Sequence, residues 1–289
     1  MAYHISRASD RVWVESAEAE GLRVALLVGE QHGAHHLEVS LRELAPGASM
    51  RAHRHPFEES WFVLSGAGTA SIAGLEYEVG AGDYGVSPVR MAHSFTADSG
   101  SSEPLRWFCV RAPKPPSFTG ARGQIDADLS IGERLGRPSE TDPRHLFAGH
   151  FREEDLAPFA DLAMPGYHGP NIRNISIRML VDRLLGAQHH TLFLATIAAG
   201  SGPGRAAKEH YHPFEEIYYF VSGGMRGKLD GNDEVAEEGD LVWVSTDATH
   251  GFVNENEVPA RWLEVQSPVP PDSDAFFFPD DWRQLPSAH

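Results

Sequence analysis

The sequence predicts an all-β chain of sandwich or jelly-roll type in which one domain is used twice. Three observations carry this expectation. The chain has 289 residues, about twice the length of one ordinary domain. Short apolar or alternating runs recur along it, punctuated by Pro-Gly, Ser-Gly and Gly-Asp pairs. A block of the first half also returns in the second. PGASMRAHRHPFEESWFVLSG ends at Gly66, and GPGRAAKEHYHPFEEIYYFVSG ends at Gly223. An offset of 157 residues takes His53 to His210, His55 to His212, Pro56 to Pro213, Glu59 to Glu216 and His93 to His250. No insertion interrupts that register from Gly47 to Phe95. Upstream the offset is 154, because three residues are inserted in the loop Gly200 to Gly204. A period this long means a duplicated domain and not a solenoid.

The elements follow in order. In the first copy, Val24–Val28, Leu37–Leu44, Ser60–Leu64 and Trp107–Val110 read as strands. Residues 113–166 differ, opening on Pro-Lys-Pro-Pro and rich in Gly, Pro and Asp. They are expected to link the two halves and pack partly against both. One short helical stretch is expected at Arg152–Ala157, ended by Pro158. In the second copy, Ile175–Val181, Thr191–Ala198, Ile217–Val221, Leu241–Val244 and Arg261–Val265 read as strands. The tail, with Phe276, Phe277, Phe278 and Trp282, has no strand pattern and is expected to cover apolar surface. The expected division is therefore an N-terminal domain of residues 1–112, a linker of 113–166 and a C-terminal domain of 167–289.

Composition narrows the class. Hydrophobic residues make up 41% and charged residues 22%, which suits a soluble globular chain. No apolar run approaches the roughly 18 residues a membrane span needs. Met1 to Glu20 is polar where a signal peptide would be apolar, so a cytoplasmic location is expected. Cys109 is the one cysteine, which excludes an intramolecular disulfide and a cysteine-based zinc site. With 24 basic and 41 acidic residues the net charge is −17, a field that repels nucleic acid and anionic membranes. The expected partner is a small-molecule substrate. The chain itself would be a monomer with a pseudo-twofold domain pair, or a homo-oligomer.

Histidine is abundant, with sixteen in the chain. On a strand, residues two apart face the same side, so His53 and His55 point together. A tight turn follows and Glu59 begins the return strand, with His93 arriving later. Three imidazoles and a carboxylate suit a divalent transition metal with positions left for substrate. The second copy offers His210, His212, Glu216 and His250 at the same spacing. A lone His-x-His is more often surface or core histidine, but here four positions recur together twice. His4, His145, His150, His168 and His289 have no such pattern. His32, His35, His36, His189 and His190 are expected to pack polar turns.

These residues resemble a known family. Gly47, five residues, His53, one, His55, three, Glu59, six, Gly66 is similar to the first cupin motif without a departure. Gly204 to Gly223 matches it too. The second motif follows from Gly82 and Gly239, with His93 and His250 in place. Arg90 and Asp247 stand where the family has Gly, Ser245 replaces Pro, and Ala97 replaces the Asn kept at Asn254. The chain therefore resembles a bicupin. That resemblance implies a double-stranded β-helix barrel in each half and one divalent metal per domain, whether Fe, Mn, Ni, Co or Zn. It also implies an enzyme. The leading expectation is an oxygen-dependent dioxygenase of a chelating or aromatic substrate, with Glu59 and Glu216 as candidate bases. A non-redox isomerase, lyase or hydrolase is the alternative, and a non-catalytic binding bicupin ranks third. Strand alternation adds candidate substrate contacts: Arg51, Trp61 and Phe95 in the first copy, and Lys208, Tyr218, Phe252 and Asn254 in the second. Arg51 and Lys208 are candidate anchors for a substrate oxyanion. Aromatic filling of a small barrel is the plainer role for the rings.

Overall fold

The strand Glu58–Ser65 shows how the pattern becomes structure. Glu59, Trp61 and Val63 turn to one side and are buried, while Glu58 and Ser60 turn to the other. The Ser-Gly pair that ends it is obligatory. Gly66 has φ +78°, and a Cβ there would lie 2.3 Å from the Pro104 carbonyl oxygen. Gly223 repeats the arrangement after Glu215–Ser222, with φ +68° and Pro259 O at 2.8 Å.

The computed structural model describes residues 1–115, 123–139, 141–200 and 206–279. Residues 201–204 of the inserted loop, and Trp282, lie outside them. The described residues hold strands and three short 3-10 turns, with no α-helix. The fold is all-β, and each half builds two main sheets. The chain divides into two units. One comprises Arg11–Glu153 and Leu180–His190; the other comprises Met1–Asp10, Glu154–Met179 and Thr191–His289.

In the N-terminal unit, one sheet orders Ala148–His150, Asp83–Ser87, Glu58–Ser65, Leu105–Ala112, Glu38–Leu44, Leu22–Val28 and Val14–Glu15. A second sheet orders Ile125–Asp126, His53–Arg54, His93–Ala97, Ala67–Ile72, Leu75–Gly80 and Glu133–Gly136. Its core gathers Trp61, Val63, Ile72, Phe95, Trp107 and Cys109, all essentially without exposure. Each large side chain of this kind contributes about 1.5–3 kcal/mol through the surface it removes from water.

In the C-terminal unit, Tyr3–Ser6, Leu241–Val244, Glu215–Ser222, Ala260–Ser267, Thr191–Ile197 and Ile175–Val181 form one sheet. Ala206–His210, His250–Val253, Met225–Leu229 and Asn232–Ala236 form the other. The first ten residues belong here, since Tyr3–Ser6 pairs antiparallel with Leu241–Val244 and Arg7 bonds Asp240 at 2.9 Å.

Every strand expected from the sequence is present, most lengthened by one to three residues at an end. The expected helical stretch is corrected. Only Glu153–Asp155 forms a 3-10 turn, because three successive acids and then Pro158 leave no room for an α-helical turn to propagate. Within 113–166, three segments add strands to the N-terminal unit: Ile125–Asp126, Glu133–Gly136 and Ala148–His150.

Candidate metal centres

Strand register brings the histidines together. His93 lies opposite His53 on the neighbouring strand, and His250 lies opposite His210. Glu59 sits across from Arg111, and Glu216 across from Gln266. All eight side chains are buried. The ring arrangement is nearly the same twice. His53 and His93 are 4.3 Å apart between centroids, as are His210 and His250. His53 to His55 and His210 to His212 are both 5.8 Å.

The backbone fixes the tautomers. Nδ1 of His53, His55 and His93 donates to the carbonyls of Arg51, Phe57 and Met91 at 2.8, 2.5 and 2.9 Å. Nδ1 of His210, His212 and His250 donates to Lys208, Phe214 and Ala248 at 2.7, 2.9 and 2.9 Å. A carbonyl only accepts, so each Nδ1 carries the proton and each Nε2 keeps its lone pair for the centre. Burial pushes the imidazoles toward neutrality. It lowers His53, His210 and His212, takes His55 down to about 4 and takes His93 down to about 3, with the neighbouring His53 assisting at His93.

The two centres handle the carboxylate differently. In the C-terminal unit His210, His212, Glu216 and His250 each place a ligand atom within 4.8 Å of the others. Glu216 Oε2 meets His212 Nε2 at 2.9 Å and His250 Nε2 at 3.1 Å, and takes a hydrogen bond from the Tyr218 hydroxyl. Neutral rings protonated at Nδ1 bring lone pairs against that oxygen, a contact a shared cation relieves. In the N-terminal unit the close group is His53, His55 and His93. Glu59 stands back, its Oε2 3.9 Å from His55 Nε2, because the buried Arg111 Nε holds that oxygen at 2.7 Å. Burial opposes the charge on Glu59, but Arg111 and Arg42 hold its carboxyl well below the usual range.

The donors fit a metal. Nε2 of His53, His55 and His93 and Oε1 of Glu59 are buried with no hydrogen-bond partner among the described residues. Four such atoms on one centre are costly unless a cation satisfies them. Each unit thus holds a His/Glu set able to bind one divalent metal.

The surroundings differ more. A cavity of about 930 Å3 in the N-terminal unit is lined by Glu18, Glu38, Arg42, Arg51 and Asp126, with Val14, Ala17, Val24 and Leu26 among its apolar wall. The centre of the C-terminal unit faces a space of about 30 Å3, walled by His210, Glu216, Tyr218, Phe252, Glu264 and Phe276. Here the expectation for the tail is corrected. Phe276 packs against His210 and His212 at 5.4 and 5.3 Å and closes this centre, because the isolated pairing of Phe277 with Tyr211 draws the tail over it. The same space meets Glu264, which the sequence reading missed. Burial first, then the neighbouring Glu216 carboxylate, raises its carboxyl well above the ordinary value, so it keeps a proton.

The expected substrate contacts separate accordingly. Tyr218 and Phe252 line the small space. Trp61 and Phe95 fill the core, edge to face at 5.6 Å, and line no described cavity. Arg51 does not point inward with His53; it is exposed at the cavity wall, because the short strand begins only at His53. Lys208 is half-buried and its backbone bonds Asn171. Asn254 bonds the Ala198 and Val258 carbonyls at 3.1 and 2.9 Å and accepts from Asn256 at 3.0 Å, so it secures a loop. His190, expected in a polar turn, is fully buried between Glu58 at 2.8 Å and Ser60 at 2.7 Å.

Comparison with known proteins agrees with this architecture. A family model for the cupin domain matches residues 40–111 and again 201–266. Tetracenomycin polyketide synthase protein TcmJ of Streptomyces glaucescens is 29% identical over 126 residues, 43% of this chain and 82% of its own length. Polyketide synthase CurC of Streptomyces cyaneus is 30% identical over 122 residues, 36% of this chain and 79% of its own. Among solved structures, the formate complex of Lactobacillus farciminis oxalate decarboxylase superposes with TM-score 0.64 at 16% identity, covering 98% of this chain and 89% of that one. Ylba from E. coli superposes with TM-score 0.64 at 14% identity, over 92% and 90%. At such identities these structures show the fold alone.

Proposed function

Because the chain belongs to the cupin family, with one cupin domain in each half, we propose that it is a metal-dependent enzyme that oxidises a small chelating or aromatic molecule with O2 in its N-terminal unit. One observation supports this reading. Four unpaired donor atoms, from His53, His55, His93 and Glu59, share a unit with a cavity of about 930 Å3, within the usual range for small-molecule sites. Both Streptomyces relatives are named as polyketide synthase proteins, which favours an oxygen-bearing, polyketide-type substrate.

Held by these four residues, a divalent transition metal would supply Lewis-acid activation and electron transfer with O2. The chain's own groups do the rest. The Nδ1 bonds to backbone carbonyls fix the ring planes. Arg111 orients Glu59 through Oε2 and leaves Oε1 free of hydrogen bonds, as the atom that would hold the metal and that could accept a phenolic or enolic proton only on leaving it. Trp61 and Phe95, two residues beyond Glu59 and His93 on their strands, are buried in an apolar core.

A second reading, non-redox isomerase or lyase chemistry, is favoured by Glu264, a protonated carboxyl beside Glu216. Purified protein should carry close to two equivalents of divalent transition metal and consume O2 with a phenolic or enolic substrate. Turnover that persists under strict anaerobiosis would replace the first reading with the second. Absence of transition metal from both centres would reject the enzyme reading.

A further inference from the structure

The N-terminal unit holds two arginines that neither motif contains. Arg42 and Arg111 are each 2% exposed, and both grip one carboxylate, that of Glu18. Arg42 Nη1 and Nη2 bond Glu18 Oε2 and Oε1 at 2.9 and 3.2 Å. Arg111 Nη1 and Nη2 bond Oε1 and Oε2 at 3.2 and 3.0 Å. We propose that this arginine pair is the binding site for the carboxylate of an organic acid, and that Glu18 is a built-in stand-in that the acid displaces.

Four features carry the assignment. Glu18 comes from an edge segment: Val14, Glu15, Ala17 and Glu20 are exposed, while Val14–Glu15 pairs with the next strand and Ala19 packs against the core. The Glu18 side chain is itself 18% exposed at the cavity wall, so displacement requires that side chain to rotate out and not the strand to leave. Next, Glu18 and Arg42 form part of the wall of the large cavity, and Val14, Ala17, Val24 and Leu26 supply an apolar bed for the body of an acid. The Arg42 fork is also incompletely used, since its Nε is buried with no hydrogen-bond partner among the described residues. The last feature is charge. Arg42 and Arg111 balance Glu18 and Glu59, so a monoanion that replaces Glu18 keeps the cluster neutral, whereas a neutral ligand strands a buried cation. Planar forks that bind a carboxylate bidentately give the geometric part of the selectivity.

The cluster also reaches the centre. Arg111 Nε bonds Glu59, and its guanidinium lies 5.5 Å over the Phe57 ring, which stacks on His55 at 3.9 Å. A bound acid would sit one guanidinium away from the metal ligands. The C-terminal unit lacks this feature, because strand register puts Ala195 and Gln266 where Arg42 and Arg111 stand. The inference names the substrate class of the N-terminal centre and rests on the enzyme reading for that consequence; carboxylate binding itself needs no turnover.

The test is calorimetric titration of the full-length, metal-loaded protein with benzoate, and with benzamide as the neutral isostere. Glu18 competes as a tethered ligand, so removing it frees the site. Glu18→Ala should bind benzoate at least tenfold more tightly than the unsubstituted chain, while benzamide gains nothing. Adding Arg42→Met to Glu18→Ala should abolish that gain. Equal benzoate affinity in the unsubstituted chain and Glu18→Ala overturns the proposal, as does a gain that survives Arg42→Met, which would place benzoate on the metal. Should the double variant not fold, thermal unfolding of Glu18→Ala decides. Benzoate should raise its midpoint more than chloride at equal ionic strength, and an equal effect overturns the proposal. Tight benzoate binding without any turnover would retire the enzyme reading and leave this one standing. Turnover of a substrate by a chain that never binds benzoate would do the reverse.

Discussion

Trp61 and Tyr218 hold the same register position in the two units, opposite Cys109 and Glu264 respectively. The first pair is an indole on a thiol inside an apolar core; the second is a phenol and a carboxyl beside a ligand carboxylate. Two residues thus separate a packed floor from a protonated one. Trp262 Nε1 donates to Glu264 at 2.8 Å, and Gln266 donates to both Glu264 and Glu216. A glutamine at 264 has the shape of the protonated acid, so Glu264→Gln should cost under about 1 kcal/mol in metal-free protein. The pH dependence gives the sharper check. Because the folded-state pKa of Glu264 is raised, the native state holds a proton the unfolded chain has released, and stability falls as pH rises above the ordinary carboxyl value of 4.5. The glutamine lacks that loss. Denaturant unfolding should therefore favour Glu264→Gln over the unsubstituted chain more at pH 8 than at pH 5. The opposite order would mean that Glu264 is ionised in the folded protein.

At the scale of the element, the turns before His93 and His250 carry the two departures from the family's glycines. Arg90 and Asp247 both lie in the left-handed region, at φ 65° and 61°. Their amides bond the His55 and His212 carbonyls at 2.9 Å each, so the loop keeps one shape in both units without glycine. An arginine there is strained by about 1 kcal/mol, whereas aspartate tolerates the conformation better. Arg90→Gly should raise stability by about that amount, and Asp247→Gly by less; chemical unfolding that shows no gain for Arg90→Gly would reject the strain. This also shows how far the sequence could be read. The duplicated ligand strands were legible because identical residues returned at one offset. The strand Tyr3–Ser6 was not, since its partner Leu241–Val244 lies more than two hundred residues away and four residues are too short a run to mark a strand. The Glu18, Arg42 and Arg111 cluster was illegible for a related reason. Its members come from three separate segments and have no counterpart in the repeat, so neither spacing nor duplication marks them.

At the scale of the whole molecule, duplication has preserved the ligands and their supporting turns and let the cavity walls diverge. One centre is bonded through Glu59 to a cationic cluster whose Arg42 lines a large cavity; the other is closed by Phe276. Both nonetheless hold buried neutral imidazoles, and that governs the stability of the chain against acid. His53, His55, His93, His210 and His212 all have folded-state pKa values below the ordinary 6.5, with His55 at about 4 and His93 at about 3. Below 6.5 the unfolded chain takes up protons the native state refuses, so stability falls as pH drops. Glu18 adds to the loss at still lower pH. Burial opposes its ionisation, but Arg42 and Arg111 hold its carboxyl far below the usual range. Glu264 works in the other direction, but it is one group against these six. Metal-free protein should accordingly lose stability steeply between about pH 6.5 and pH 4, with the denaturant slope unchanged. Metal-loaded protein should start higher and lose its advantage over the same interval as protons displace the ion. Unfolding curves across pH 4 to 8, with and without chelator, measure both. A flat profile through that window would mean that these imidazoles are already protonated in the fold, and that they do not face a metal.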